Sequence, residues 1–192
     1  MTPFLYVSHP QVKVDPAVPV PDWSLSDVGR RRTEAFARRP HLSSFRRVVA
    51  SDEVKAKETA ALIGATLGLA VEVRPGMHEN DRSATGFLPE PEFQVVADAF
   101  FADPDQSVRG WERAVDAQAR IVGAVDAALA EAPGLPVIFV GHGGVGTLLL
   151  CHLAGYPISR AHDQPPVGGG CWYERSETKM PDRWRAMEDE AS

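Results

Sequence analysis

The stretch Val137-Ile138-Phe139-Val140-Gly141-His142-Gly143-Gly144 decides how this chain is read. Its first four residues form an unbroken apolar run, the pattern of a buried strand. The glycines that follow turn that strand into a helix predicted to run to about Leu153. A Gly pair between strand and helix suits a tight turn and close helix packing. It also lets the backbone approach a ligand, with the first N–H groups of the helix pointing at it. His142 stands at the carboxyl end of the strand, where open α/β sheets bind ligands. The run is not a nucleotide loop, because the lysine that a Walker A loop places before its Thr is absent at Gly146-Thr147.

The same rhythm recurs on both sides. Phe4-Leu5-Tyr6-Val7 reads as a buried strand ending at Ser8-His9-Pro10, followed by a proline-rich loop to residue 22. Ser26 caps a helix ending near Pro40, with Arg30-Arg31-Arg32 read as a solvated face. Arg47 to Ser51 is a second strand, 53–67 a helix stopped by Gly68, and Val71-Glu72-Val73 a third strand. Residues 78–110 break the rhythm with prolines and glycines and read as an insertion or lid holding a short helix from Phe93 to Phe101. A long helix is predicted from Arg109 to Ala130, a further strand at Cys171-Trp172-Tyr173-Glu174, and a β edge within 182–187. Strands alternating with helices predict a mainly parallel sheet covered on both faces. The length fits one domain, 1–192, with the insertion at about 78–110.

Composition narrows the function. Apolar residues make up 44% and charged residues 24%, which is globular composition rather than disorder or coiled coil. The net charge of -6, from Lys+Arg 20 against Asp+Glu 26, argues against a nucleic-acid partner but leaves room for a small anion in a locally positive pocket. No apolar run approaches the ~20 residues of a membrane span, and the start carries no secretory pattern. Cys151 and Cys171 make neither a disulfide framework nor a CxxC zinc pair, so a reducing cytoplasm is expected.

Four predicted strand ends offer His9, Ser51, the segment Met77-His78-Glu79, and His142 toward one rim. A lone His after a strand is usually a satisfied structural residue, but two at equivalent strand ends with an acid nearby make this rim a candidate site. A metal set of His9, His78, Glu79 and His142 is a competing reading, although it lacks the HExxH spacing. His41, His152 and His162 have no partner pattern, Cys151 is assigned to the core, and Trp23 and Trp111 to packing.

Five motifs in order resemble the histidine phosphatase superfamily, the phosphoglycerate-mutase-like group. They are Leu5-Tyr6-Val7-Ser8-His9-Pro10, Leu25-Ser26-Asp27-Val28-Gly29, the run Ala50 to Ala60, Met77-His78-Glu79, and Val140-Gly141-His142-Gly143-Gly144. The third resembles the family's Ser-Ser-x-Leu-x-Arg-Ala-x-x-Thr-Ala helix. The resemblance implies a three-layer α/β/α sandwich and a phosphomonoester hydrolase working through a phosphohistidine, without cofactor or metal, on a small phosphorylated metabolite or phosphoprotein. His9 is then the nucleophile. His142 holds the transferring phosphoryl group, and Glu79 is the proton donor to the leaving oxygen, kept protonated by a desolvated pocket. The Gly143 amide contacts the phosphate.

Three positions depart from that pattern. Ser8 stands where the family has an arginine, Lys55 replaces the arginine of the second motif, and Pro10 replaces a glycine. Lysine keeps the charge but loses the bidentate fork, and serine loses the charge. Arg82 is the candidate replacement. These departures also motivate an alternative, a catalytically impaired relative that binds a phosphorylated ligand or protein.

Overall fold

A computed structural model describes residues 1–190. The strands are β1 (Phe4–Ser8), β2 (Arg47–Ser51), β3 (Val71–Arg74), β4 (Val137–Gly141), β5 (Cys171–Arg175) and β6 (Arg185–Ala186). The α-helices are α1 (Asp27–Ala37), α2 (Val54–Leu67), α3 (Glu90–Ala102), α4 (Ala114–Glu131) and α5 (Gly143–Ala154). The strands form one sheet in the order β3-β2-β4-β1-β5-β6. The first four in that order pair in parallel, and β5 and β6 join antiparallel at one edge. The sheet is therefore mixed. Its parallel part carries the α/β crossovers expected from the sequence, and the chain returns along β1 once the last helix is complete.

Alternation along the central strands builds two cores. Phe4, Tyr6, Val137 and Phe139 pack against Ile121 and Val125 of α4 and Val145 and Leu148 of α5. Leu5, Val7, Ile138 and Val140 pack on the other face against Phe36 of α1 and Ala56, Ala60 and Ile63 of α2. A strand with apolar side chains on both faces is covered by helices on both, which is the three-layer arrangement. Each such large side chain contributes about 1.5–3 kcal/mol by leaving water.

Two helix starts differ from the sequence reading. The long helix begins at Ala114 rather than Arg109, because Arg109 (φ 53°) and Gly110 (φ 82°) both adopt the left-handed region and form a turn. Within 78–110, α3 is longer than expected, and its Val96, Phe100 and Phe101 belong to the core. Arg32 is not a solvated residue. Its guanidinium bonds Gln11, the Gly169 carbonyl and Glu188, tying α1 to the chain around β5 and β6.

Candidate active site

Strand register brings the site together. β1 and β4 are neighbours with Ser8 opposite Gly141, so His9 and His142 leave adjacent strand ends side by side. The His9 N–H donates to the Gly141 carbonyl at 3.0 Å. The two imidazoles stand edge to face with centroids 5.3 Å apart. On the other side of β4, β2 ends at Ser51, whose Oγ lies 2.8 Å from His142 Nε2. Three neighbouring strand ends thus line up Ser51, His142 and His9.

His9 is oriented for reaction at one nitrogen. Its Nδ1 lies 2.9 Å from the Pro10 carbonyl, which can only accept, so Nδ1 carries the proton and Nε2 keeps its lone pair. Burial, then the neighbouring His142 and Lys55, push the His9 pKa down to about 3. Burial also lowers His142, with Glu53 and Glu79 working against it. The Nδ1 atom of His142 is buried and has no hydrogen-bond partner among the described residues.

Glu79 caps α5. Its Oε2 accepts the Gly144 N–H at 3.0 Å and its Oε1 the Val145 N–H at 2.9 Å. The helix N-terminus expected to hold an external anion already holds this carboxylate. A Cβ at Gly144 would stand 2.7 Å from Glu79 Oε1, so a larger residue there would push the carboxylate off the helix end. Burial works to raise the Glu79 pKa, but the His142 ring, Arg82 and the Val145 N–H outweigh it, and the group is held below its ordinary value. The expectation of a carboxyl that keeps its own proton at neutral pH is therefore corrected. Two backbone donors favour the ionised form.

The expected phosphate-binding residues separate into two groups. Arg82 and Gly143 line a cavity of about 220 Å³ together with His9, Glu79 and Gln164. The Arg82 guanidinium lies over the rings of Phe93 and Trp111, at 5.1 and 5.6 Å from their centroids. Ser8 is fully buried and faces inward; its Oγ accepts the Cys171 N–H at 3.0 Å and bonds Gln164 Oε1 at 2.8 Å. Lys55 is buried too, and its Nζ bonds the Val20 carbonyl at 2.8 Å and the Glu53 carboxylate.

Glu53 is the main residue that sequence reasoning missed. Its other oxygen accepts the Glu79 N–H at 2.9 Å and lies 3.5 Å from His142 Nε2. Burial would raise this carboxyl, but His142, Lys55 and the Glu79 N–H hold it down at about 2. Its signal was visible, an acid at the leucine position of the Ala50 to Ala60 motif. Gln164, Arg160 and Asp163 line the cavity from the loop after α5 and carried no such signal. His78 turns elsewhere. Its Nδ1 bonds the Glu79 carbonyl at 2.7 Å and the residue lines a different groove with Pro21, Asp22, Asp52 and Glu53. The four residues of the metal reading therefore do not converge, and no group of three or more His, Cys, Asp or Glu fit to hold a metal occurs among the described residues.

The histidine phosphatase superfamily (branch 1) model matches residues 14–179. The chain belongs to the histidine phosphatase superfamily. The match begins after β1 and His9, and the register of β1 with β4 is what sets His9 beside His142. Among solved structures, mycobacterial glucosyl-3-phosphoglycerate phosphatase in complex with VO3 superimposes with a TM-score of 0.76 at 26% identity, covering 96% of this chain and 96% of that one. Bacillus stearothermophilus YhfR gives a TM-score of 0.77 at 20% identity over 94% of each chain. A putative alpha-ribazole-5'-P phosphatase from Escherichia coli gives 0.70 at 21% identity, over 91% of this chain and 90% of that one. A search of curated proteins returned no match.

Proposed function

We propose that this superfamily member is a phosphomonoester hydrolase that forms a phosphohistidine on His9 of a small phosphorylated substrate's phosphoryl group. One observation carries the reading: His9 is a neutral imidazole whose Nδ1 is tied to the Pro10 carbonyl and whose Nε2 is the free nucleophile beside His142. Nε2 bonds to phosphorus as the ester P–O bond breaks, and water then breaks the P–N bond to release inorganic phosphate. Charge spread over the equatorial oxygens meets Arg82, the Gly143 N–H and the His142 ring. Residues 78–110 form the variable insertion of the single domain, since Arg82, Phe93 and Trp111 from this region and its edge wall the cavity.

Glu79 is ionised at rest, so its proton arrives with the substrate. A phosphomonoester monoanion, whose second pKa is about 6, supplies that proton, and Glu79 passes it to the leaving oxygen. In this reading kcat/KM declines above about pH 6 as the substrate loses its proton.

The experiment is hydrolysis of an aryl phosphate with acid quench to trap acid-labile phosphate on the protein. Turnover with trapped phosphate that is lost in His9→Ala supports the reading. Equal inactivity of wild type and His9→Ala over a broad panel of phosphate esters overturns it. A specific observation favours a second reading, a non-catalytic phosphate binder: both replacements for the family arginines are already engaged, Ser8 with Gln164 and Lys55 with Glu53. Calorimetric binding of phosphate esters and vanadate without turnover selects that alternative.

A further inference from the structure

A second groove of about 520 Å³ adjoins the His9 cavity, and Glu79, Asn80 and Arg82 line both. We propose that this groove holds the alcohol half of the substrate and that this alcohol is apolar and carries no anionic group. The proposal rests on reading the His9 cavity as the phosphoryl site. The outer wall is the run Pro16 to Pro21 together with Phe87, whose ring centroid stands 5.5 Å from that of Trp23. Prolines fix φ along that wall, so it offers apolar surface that loses little freedom when a ligand covers it. The volume is in the range of small-molecule sites, which are mostly apolar with a few polar groups that set orientation.

Charge sets the exclusion. Glu53, Glu79 and Asp81 face the groove against one cation, Arg82. Arg82 holds its guanidinium over Phe93 and Trp111, rings that line the His9 cavity. The nearby Lys55 is already shared between Glu53 and the Val20 carbonyl. A second phosphate or a carboxylate on the alcohol would meet like charges without a partner, a repulsive element that discriminates between substrates. At the junction of the two spaces, Asn80 Nδ2 is buried and has no hydrogen-bond partner among the described residues, so it is placed to donate to the ester or alcohol oxygen.

The test uses hydrolysis-resistant probes on the full chain. Calorimetry compares 1-naphthylphosphonate, phosphonoacetate and inorganic phosphate, and steady-state kinetics compares 1-naphthyl phosphate with 3-phosphoglycerate. The naphthyl probes should be favoured at least tenfold in both measurements, with the preference reduced about tenfold in Phe87→Ala while the affinity for inorganic phosphate is unchanged. Val18→Lys, which places a cation on the outer wall, should narrow the gap by improving phosphonoacetate. Equal or tighter binding of phosphonoacetate to the wild type, or a naphthyl preference untouched by Phe87→Ala, overturns the proposal. Selective naphthylphosphonate binding without hydrolysis of any ester supports the groove assignment and overturns the hydrolase reading. Turnover of both esters with no preference does the reverse.

Discussion

Lys55 replaces an arginine of the family motif, and its ammonium is paired inside the protein rather than open to the cavity. The partner, Glu53, occupies a position where the motif carries leucine, so one substitution introduced a charge and the other is where that charge is met. A buried ion pair broken on one side is costly, about 3–5 kcal/mol. Lys55→Met should therefore destabilise the fold by that order in a urea titration, because Glu53 would be left buried and ionised. Glu53→Leu breaks the same pair and should also cost stability, but at the site it releases the ammonium and removes a like charge. Vanadate should bind that variant about tenfold more tightly, and an unchanged isotherm would show that Glu53 does not compete for Lys55. The meeting of His9, Glu79 and His142 at one rim was legible at this scale because each closes a strand or its turn. The ionisation of Glu79 was not legible, since it depends on the His142 ring, on Arg82 and on the Val145 N–H, groups that only folding sets around one carboxyl.

Helix α5 is the element on which the site is built, and its small residues serve packing as well as its N-terminus. Gly146 presses against Tyr6 and Trp184, with a Cβ there falling 2.6 Å from Tyr6 Cε1 and 2.7 Å from Trp184 Cη2. Both rings are held, Tyr6 stacked on Tyr173 and its hydroxyl receiving the His142 N–H at 3.1 Å. Gly146→Ala should cost about 1–3 kcal/mol by overpacking and should also shift His142, because the ring that must move is the one bonded to its backbone. Chemical denaturation and the chemical shift of the His142 ring report the two effects. A wild-type stability for this variant would mean that the helix slides freely on the sheet. The strands and helices that flank the site were readable from periodicity. The start of α4 was not, because a left-handed Arg109 is stabilised by its surroundings rather than announced by its residue type.

Across the whole molecule, acid should act on stability through the same titratable groups that make the site. The unfolded chain protonates His9 near pH 6.5, whereas the folded chain holds that histidine neutral until about pH 3. His142 is lowered in the same direction. The unfolded state therefore binds more protons below about pH 6.5, and stability falls as the pH drops. Glu53, held at about 2, and Glu79, also lowered, add a second loss once the pH passes the ordinary carboxyl value of 4.5. Urea unfolding at pH 8, 6, 5 and 4 should show midpoints falling continuously below pH 6.5, and a flat profile from pH 8 to 5 would contradict a neutral His9 and His142. His9→Asn should remove part of the first loss, because asparagine does not titrate.

Periodicity and turn chemistry are local properties, so the strand–helix alternation, the helix-covered sheet and the histidines that end β1 and β4 could be read from the residues alone. The antiparallel edge of the sheet was not determined in that way, since nothing local distinguishes the two pairings of a short apolar strand. Which cations remain available to a ligand was decided only by the tertiary structure. A charge is met or left free by whatever side chain lies within a few ångströms, and Lys55 and Arg32 found partners in segments that packing brought beside them.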